Sequence, residues 1–233
     1  MKKNYIDLLR SKKMTLIMSL PVNDPVLARV AWENGADVVK VHVNVEHRAS
    51  KTLFKSFAEE KDKLNEILQS AQGPCGIVLG ADTVSALRDF PFAAEAGFDF
   101  WSLYAQHVPA ELLQDSSLAK MIALDSNYTA EEVRTLEKIG ADVLEASVIK
   151  PETYGQPLTA KEILTYTAIC SGTSLPVVVP TQRYIKPNEV LVLSRCKVAG
   201  IMTGAVVTGK TADTIAKALG AFRNEIDKMP VTA

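Results

Sequence analysis

The sequence has almost no imbalance of charge, and this excludes several classes of partner. Its 26 lysines and arginines nearly match its 27 aspartates and glutamates, which leaves a formal net charge of −1 over 233 residues. Proteins that bind nucleic acid or an anionic membrane surface usually present an excess of basic residues. No apolar run approaches the ~20 residues of a membrane-spanning helix. We therefore expect a small-molecule ligand, with no nucleic acid and no membrane as partner.

Cysteine is also scarce. The three cysteines, at positions 75, 170 and 196, are odd in number and far apart. This spacing argues against a disulfide framework and against a zinc site, and it is typical of a reducing compartment. The apolar run at 14–20 is shorter than a signal peptide requires. We therefore predict a cytoplasmic protein.

Two glycine-rich phosphate-binding motifs are absent. The first strand-like run ends in Ser-Leu-Pro-Val-Asn-Asp, where a dinucleotide-binding sheet would carry a glycine-rich turn, and no P-loop is present. The acids Asp82, Asp125 and Glu145 come from three different strand-like runs without the spacing of a metal site. We therefore predict no cofactor and no metal.

The sequence does contain a regular alternation of strand-like and helix-like segments. Three of the junctions are near-copies, namely ENGAD (33–37), EAGFD (95–99) and KIGAD (138–142), and no linker interrupts the pattern. Alternating strands and helices favour a parallel sheet, and eight units in this length predict a single-domain α/β fold, a (β/α)8 TIM barrel over residues 1–233. We expect it to open on a strand, with a doubly wound open sheet as the alternative. The eight strand-like runs are 14–20, 37–43, 75–80, 98–104, 119–124, 142–148, 176–180 and 199–204.

The second run, in the stretch ADVVKVHVNVEHRAS (36–50), carries polar residues at every other position. The period of a strand places Lys40, His42 and Asn44 on one face and the intervening valines on the other. In a barrel the valines pack against the helices, so the polar face points inward. The same period turns Glu145 and Ser147 of the sixth run inward, and a buried ammonium and carboxylate would each need the other.

A catalytic role for these residues is our hypothesis. Lys40 and Glu145 would form an acid/base pair, while His42 or Asn44 polarises a carbonyl oxygen. A purely structural Lys40–Glu145 ion pair remains the alternative.

Working residues of such barrels lie at the carboxyl ends of the strands and in the loops that follow. The loop at 44–60 is much longer than the usual 2–6 residues, and its cationic and hydroxyl side chains favour a lid over an anionic ligand. On this basis we predict the following substrate-binding residues: Ser19, Asn44, Arg48, Asp125, Lys150 and Gln182.

Phosphate binding is predicted after the eighth run. There Thr203 and Gly204 end a strand and a helix follows, so the backbone N–H groups of Gly204, Ala205 and Val206 could receive an anion. We predict Thr203, Gly204 and Ala205 as the phosphate-binding residues.

The same segment, IMTGAVVTGKTADTI (201–215), resembles the phosphate-binding turn and small helix of the ribulose-phosphate-binding barrel superfamily. Across the chain the order of elements is most similar to that of the N-acetylmannosamine-6-phosphate 2-epimerases. These are TIM barrels that invert a carbon of an amino-sugar phosphate by proton abstraction and return. The resemblance implies phosphate contacts at Gly204 and Ala205. It does not extend to the family's catalytic lysine and acid, whose places hold LGAD (79–82) and PTQR (180–183).

Together these observations predict an enzyme that acts on a small phosphorylated sugar or related phosphate ester by isomerase or epimerase chemistry. Two alternatives stay open: a class I aldolase or lyase that uses Lys40 as Schiff-base amine, and a non-catalytic barrel that binds a phosphorylated metabolite. Barrels of this length often pair, and a homodimer is one of the oligomeric states that the sequence leaves open.

Overall fold

Eight parallel strands close into a barrel in the computed structural model of the protein, which describes residues 5–11 and 13–229. The predicted TIM barrel is confirmed, and each predicted strand run contains one barrel strand. Residues 1–4, 12 and 230–233 of the predicted domain lie outside the described residues. In their order around the barrel the strands are β1 (Thr15–Ser19), β2 (Val38–His42), β5 (Cys75–Val78), β6 (Phe100–Tyr104), β7 (Ala119–Ala123), β8 (Val143–Glu145), β9 (Val177–Pro180) and β10 (Gly200–Thr203), which pairs with β1.

Helices surround the barrel, and the loop after β2 contains a short antiparallel hairpin of β3 (Val45–His47) and β4 (Thr52–Phe54). Several helices begin at a residue whose side chain accepts a hydrogen bond from a backbone N–H of the first turn, such as Asp24, Thr129 and Thr211. The helices are α1 (Tyr5–Arg10), α2 (Pro25–Glu33), α3 (Phe57–Gln69), α4 (Thr83–Ala96), α5 (Ala130–Thr135), α6 (Ala160–Gly172), α7 (Val190–Arg195), α8 (Ala205–Thr208) and α9 (Ala212–Lys228).

The prediction that the barrel opens on a strand is wrong, because α1 precedes β1. One face of this short helix presents Tyr5 and Leu9, which are buried among the inward side chains at the amino-terminal end of the barrel. The ring of Tyr5 stacks on Phe100 with 3.9 Å between the ring centroids. The helix therefore closes the end of the barrel opposite the predicted site.

The barrel interior has two layers of different chemistry. At the amino-terminal end the strands contribute an apolar cluster that includes Ile17, Val38 and Phe100. Toward the carboxyl-terminal end the inward positions become polar, beginning with Lys40 and Glu145. Val39, Val41 and Val43 lie in the separate cluster between the strands and the helices, which confirms the predicted alternation with Lys40 and His42.

The three repeated junctions share one structural role. Each ends in an aspartate at the start of a strand, and its carboxylate accepts a hydrogen bond from a backbone N–H near the start of the neighbouring strand. In the equivalent position between β9 and β10, Ala199 replaces the aspartate, and its backbone N–H donates to the Val177 carbonyl at 2.9 Å. The repeat thus satisfies backbone N–H groups at the amino-terminal rim. The three bonds are Leu16 N–H to Asp37, Cys75 N–H to Asp99 and Lys120 N–H to Asp142, at 2.8, 2.7 and 2.8 Å.

Candidate active site

A cavity of about 440 Å³ opens at the carboxyl-terminal end of the barrel. Its walls are the ends of the barrel strands, the β3–β4 hairpin and the loops after β6, β7 and β8. This is where parallel barrels place their working residues. Eight of the predicted site residues line it: Ser19, Lys40, His42, Arg48, Asp125, Glu145, Gln182 and Gly204.

The floor of the cavity contains a buried ion pair between Lys40 and Glu145. The ammonium of Lys40 lies 3.2 Å from Oε2 of Glu145, and the two residues are only 4% and 5% exposed. Ser102 donates to the same oxygen at 2.9 Å, and Ser147 donates to Oε1 at 2.8 Å. Burial alone would raise the pKa of Glu145, but the Lys40 ammonium and the two hydroxyls outweigh it and hold this pKa below its usual value. Glu145 is therefore an ionised carboxylate whose oxygens are both occupied.

His42 lies beside this pair and is 2% exposed. Its Nε2 is 3.3 Å from the hydroxyl of Ser19, and its buried Nδ1 has no hydrogen-bond partner among the described residues. Burial, and then the neighbouring His47 and Lys40, lower the pKa of His42 well below its usual value. At neutral pH His42 is an uncharged imidazole with one uncommitted nitrogen.

The hairpin covers His42 from above. The rings of His47 and Phe54 lie with their centroids 4.7 Å from that of His42, and Thr52 anchors the hairpin by a 2.8 Å hydrogen bond to the Pro21 carbonyl. Burial, followed by the charge of Lys40, lowers the pKa of His47 to about 4. The segment predicted as one long loop is thus partly strand, because Thr52–Phe54 pairs with Val45–His47. Its action as a lid stays a prediction.

Two phenols complete the upper wall. Tyr104 ends β6, and Tyr154 comes from the loop after β8, where its hydroxyl lies 2.5 Å from Nε2 of Gln182. Burial raises the pKa of both phenols, so both are neutral. The alternation along β6 could have placed Ser102 and Tyr104 in the site, because residues two positions apart on a strand share one face, here the inward one. No sequence signal could have placed Tyr154, since an irregular loop has no period.

The prediction that Asn44 faces the cavity is wrong. The strand ends at His42, and Asn44 adopts a left-handed backbone with φ of 52°. Its side-chain amide therefore turns outward and donates to the Leu79 carbonyl at 3.3 Å and to Asp89 of α4 at 2.7 Å. Asn44 holds the base of the hairpin against the helix layer, so it cannot polarise a substrate carbonyl in this arrangement.

Three other predicted binding residues do not line the cavity. The side chain of Thr203 faces outward, and its hydroxyl donates to the Ile17 carbonyl at 3.0 Å, so it is not available to a phosphate. Lys150 is exposed and begins the loop outside the cavity wall. Ala205 is half-buried and its neighbours Gly204 and Val206 line the cavity in its place.

Two other kinds of site have no counterpart in the described ranges. Within residues 5–11 and 13–229, no group of three or more His, Cys, Asp or Glu side chains is arranged to hold a metal ion. No helix in these ranges is both long and apolar enough to cross a membrane. The cavity therefore presents hydroxyls, amides, three imidazoles and the charges of its ionised side chains to a ligand.

The closed eight-stranded parallel barrel defines the chain as a TIM barrel. No protein-family model and no curated protein matches its sequence. Solved structures do match: a Pyrococcus furiosus thiamine phosphate pyrophosphorylase is 17% identical with a TM-score of 0.66, over 94% of this chain and 98% of that one. A chain of Mycobacterium tuberculosis tryptophan synthase is 14% identical with a TM-score of 0.72, over 97% and 98%. The tryptophan synthase A-subunit of Pyrococcus furiosus is 13% identical with a TM-score of 0.68, over 92% and 98%. At identities this low, the similarity establishes the shared fold and nothing more.

Proposed function

We propose that the protein is an enzyme that acts on a small phosphorylated sugar or related phosphate ester by acid/base isomerase or epimerase chemistry. The observation that carries the proposal is the floor of the cavity, where a buried Lys40–Glu145 pair lies beside the uncharged His42. A barrel does not need such a pair for stability, because desolvating two charges costs about as much as their attraction returns. The names of two similar structures, a thiamine phosphate pyrophosphorylase and a tryptophan synthase, are those of enzymes, and the first includes a phosphate compound, which supports the proposed class.

The phosphate is assigned to the turn between β10 and α8. Gly204 and Val206 line the cavity there, and the N–H of Gly204 donates to the Thr181 hydroxyl at 3.0 Å. The first N–H groups of a helix have no partner inside the helix, so that of Val206, which lines the cavity, is the proposed donor. This assignment agrees with the resemblance of 201–215 to a phosphate-binding turn.

Glu145, Lys40 and His42 in the cavity floor have different roles in the proposed reaction. Glu145 accepts three hydrogen bonds and has a lowered pKa, so it is a weak base, and its role is to hold the Lys40 ammonium in place. In the proposed reaction His42 takes the proton from the carbon next to a carbonyl group. The electron pair of that C–H bond moves onto the carbonyl oxygen, where the Lys40 ammonium stabilises the negative charge. His42 then returns the proton to the former carbonyl carbon while the hydroxyl proton passes from one oxygen of the enediolate to the other, which gives the isomer. A proton delivered from solvent to the opposite face of the original carbon, with loss of the proton from His42 to solvent, gives the epimer.

The low pKa of His42 is compatible with this role. A phosphate group brings up to two negative charges into the cavity, and a nearby negative charge raises the pKa of an imidazole. Binding of the substrate would therefore move His42 toward the pKa range in which a general base is most effective at neutral pH.

Hydrogen exchange with solvent tests the proposal without knowledge of the product. Phosphorylated aldoses and ketoses are incubated with the protein in D2O, and loss of the signal of the hydrogen next to the carbonyl is followed by proton NMR. We expect exchange on at least one sugar phosphate, reduced by roughly 10²-fold or more in His42→Asn and in Lys40→Met.

The matched control is Arg134→Gln, which breaks an exposed ion pair with Glu131 far from the cavity and should exchange at the wild-type rate. Circular dichroism establishes that each variant is folded before its rate is compared. Absence of exchange on every sugar phosphate, or unchanged exchange in both site variants, would contradict the proposal.

The position of Lys40 also supports a second candidate, a Schiff-base aldolase or lyase. Its amine lies in the cavity floor, within reach of a substrate carbonyl. Borohydride added during turnover would trap an imine on Lys40, and mass spectrometry of the peptide separates this chemistry from plain proton transfer. Thermal stabilisation by a sugar phosphate, without exchange and without an adduct, would instead indicate a non-catalytic binding barrel.

A further inference from the structure

Arg48 occupies a position in the cavity that the proposed reaction does not use. It follows β3 at the tip of the hairpin, it is exposed, and it lines the cavity. Among residues 5–11 and 13–229 it makes no ion pair, although the cavity wall also contains Glu46 and Asp125. It shares the cavity wall with two phenols, Tyr104 and Tyr154. Burial raises the pKa of both phenols, and the charge of Arg48 partly offsets this. A cation without a carboxylate partner thus lines the same cavity as two hydroxyl groups.

Both phenols are hydrogen-bond donors in this position. The hydroxyl of Tyr154 already accepts from the Gln182 amide at 2.5 Å, so its own proton is free to be donated onward. Tyr104 ends β6 and lines the same cavity as Ser147 and Tyr154. Burial keeps both phenols protonated. Tyr104, Tyr154 and Arg48 can therefore offer two O–H donors and a guanidinium to one anionic group of a ligand.

The charge of this group favours a carboxylate over a second phosphate. One guanidinium compensates one negative charge, and its planar pair of donors matches the two oxygens of a carboxylate. Asp125 on the rim is already occupied, since it accepts hydrogen bonds from the Asn127 backbone at 2.7 Å and from Gln106 at 3.4 Å. Next to Asp125 and Glu46, a dianion would add one more uncompensated negative charge than a carboxylate does.

We propose that Arg48, Tyr104 and Tyr154 form a second anion subsite, and that the substrate is a phosphorylated sugar acid whose carboxylate binds there. The inference rests on the proposed function for the phosphate end, at Gly204 and Val206. The two ends of the cavity then hold the two anionic groups, and the reacting carbon lies between them above Lys40 and His42.

Matched pairs of ligands test this subsite. Each pair has the same chain length and the same phosphate, and differs only in a carboxylate or a hydroxymethyl group at the other end: 2-phosphoglycolate against 2-hydroxyethyl phosphate, 3-phosphoglycerate against glycerol 3-phosphate, and 4-phosphoerythronate against erythritol 4-phosphate. Dissociation constants come from calorimetry on the full chain. We expect the acid to bind at least about tenfold more tightly than its partner for at least one chain length, as a charge-assisted contact requires.

Three variants decide which residues read the carboxylate. Arg48→Met and Tyr154→Phe should bring the ratio of the two dissociation constants close to one, while the affinity for the hydroxymethyl partner changes little. Lys55→Met removes the same charge from an exposed position on the same segment outside the cavity wall, and should keep the wild-type ratio. A wild-type ratio within twofold at every length, or a ratio unchanged by Arg48→Met and Tyr154→Phe, would overturn the inference.

A parallel series separates this inference from the phosphate assignment. Glycerate and erythronate are compared with glycerol and erythritol, which carry no phosphate. A preference for the acids that depends on Arg48 supports the subsite even where phosphorylated ligands bind no better, and that result would count against the phosphate site alone. No detectable binding of any carboxylate ligand would overturn the subsite.

Discussion

Replacing Lys40 with methionine should destabilise the protein strongly, by an amount that depends on pH. The substitution keeps most of the side-chain volume and removes the charge that faces Glu145 at 3.2 Å in a position only 4% exposed. Removing one partner of a buried ion pair typically costs about 3–5 kcal/mol, because the other charge is left desolvated. We expect a loss of this size at pH 7.

The pH dependence follows from Glu145. In the wild-type protein its pKa lies below the usual value, so this carboxylate contributes stability above its unfolded pKa. Without Lys40 the effect of burial dominates and the pKa of the folded state rises above that of the unfolded state. The variant then loses stability as pH rises, by about 1.4 kcal/mol per pH unit until the new folded pKa is reached. The difference from wild type should be smallest near pH 5 and should grow toward pH 8.

Urea unfolding of the wild type, Lys40→Met, Glu145→Gln and the double variant between pH 5 and pH 8 measures these free energies. The double variant removes both charges, so its loss should be smaller than the sum of the two single losses, with a coupling on the order of 2 kcal/mol. Glu131→Gln, in the exposed pair with Arg134, is the control and should change stability by less than about 1 kcal/mol. A pH-independent cost of Lys40→Met below about 1 kcal/mol, or strict additivity in the double variant, would refute the reasoning.

Two further predictions concern the barrel rim and the hairpin. Asp99→Ala should lower the free energy of unfolding by about 1–3 kcal/mol, because the N–H of Cys75 loses its side-chain acceptor. Asp99→Asn keeps an acceptor oxygen and should cost less. Equal losses for the two variants in urea unfolding would contradict this role of Asp99. The pKa of His47 in the folded protein is about 4, below the usual value of 6.5. Between these two pH values the unfolded chain binds a proton at His47 and the folded protein does not. The free energy of unfolding should therefore fall as the pH drops from 6.5 to about 4, by up to about 3 kcal/mol. His47→Phe should show a shallower fall over the same pH range, and an identical slope would show that His47 does not titrate in this way.

Much of the fold could be predicted from local patterns. Strand β2 illustrates why: a period of two with valines on one face and Lys40 and His42 on the other has one stable arrangement in a barrel, with the valines against the helices. The aspartates at the ends of the repeated junctions could also be placed at strand starts, because each lies at the start of a strand-like run. Their bonds to the neighbouring strand could not, because hydrogen bonds across strands depend on register.

The site residues show the same distinction between what strand period predicts and what depends on tertiary structure. Residues within a strand, such as Glu145 and Lys40, could be paired from sequence because strand period and strand order determine which side chains face each other across the barrel. Asn44 was placed incorrectly because the alternation stops where the backbone turns left-handed, and a short sequence pattern does not reveal where a strand ends. Thr203 was misassigned because its hydroxyl bonds to a carbonyl on the adjacent strand.

What the sequence alone determined is therefore the barrel, its polar inner face and the pairing of its charges, all of which follow from periodicity and from the cost of burying a lone charge. The tertiary structure decided which loop residues reach the cavity. Arg48 at the hairpin tip and Tyr154 in the loop after β8 line the same cavity as Tyr104, although more than 100 positions separate the first two in the chain. Loops have no period from which such an approach can be read, and only the packing of the hairpin and of Gln182 against Tyr154 brings them together.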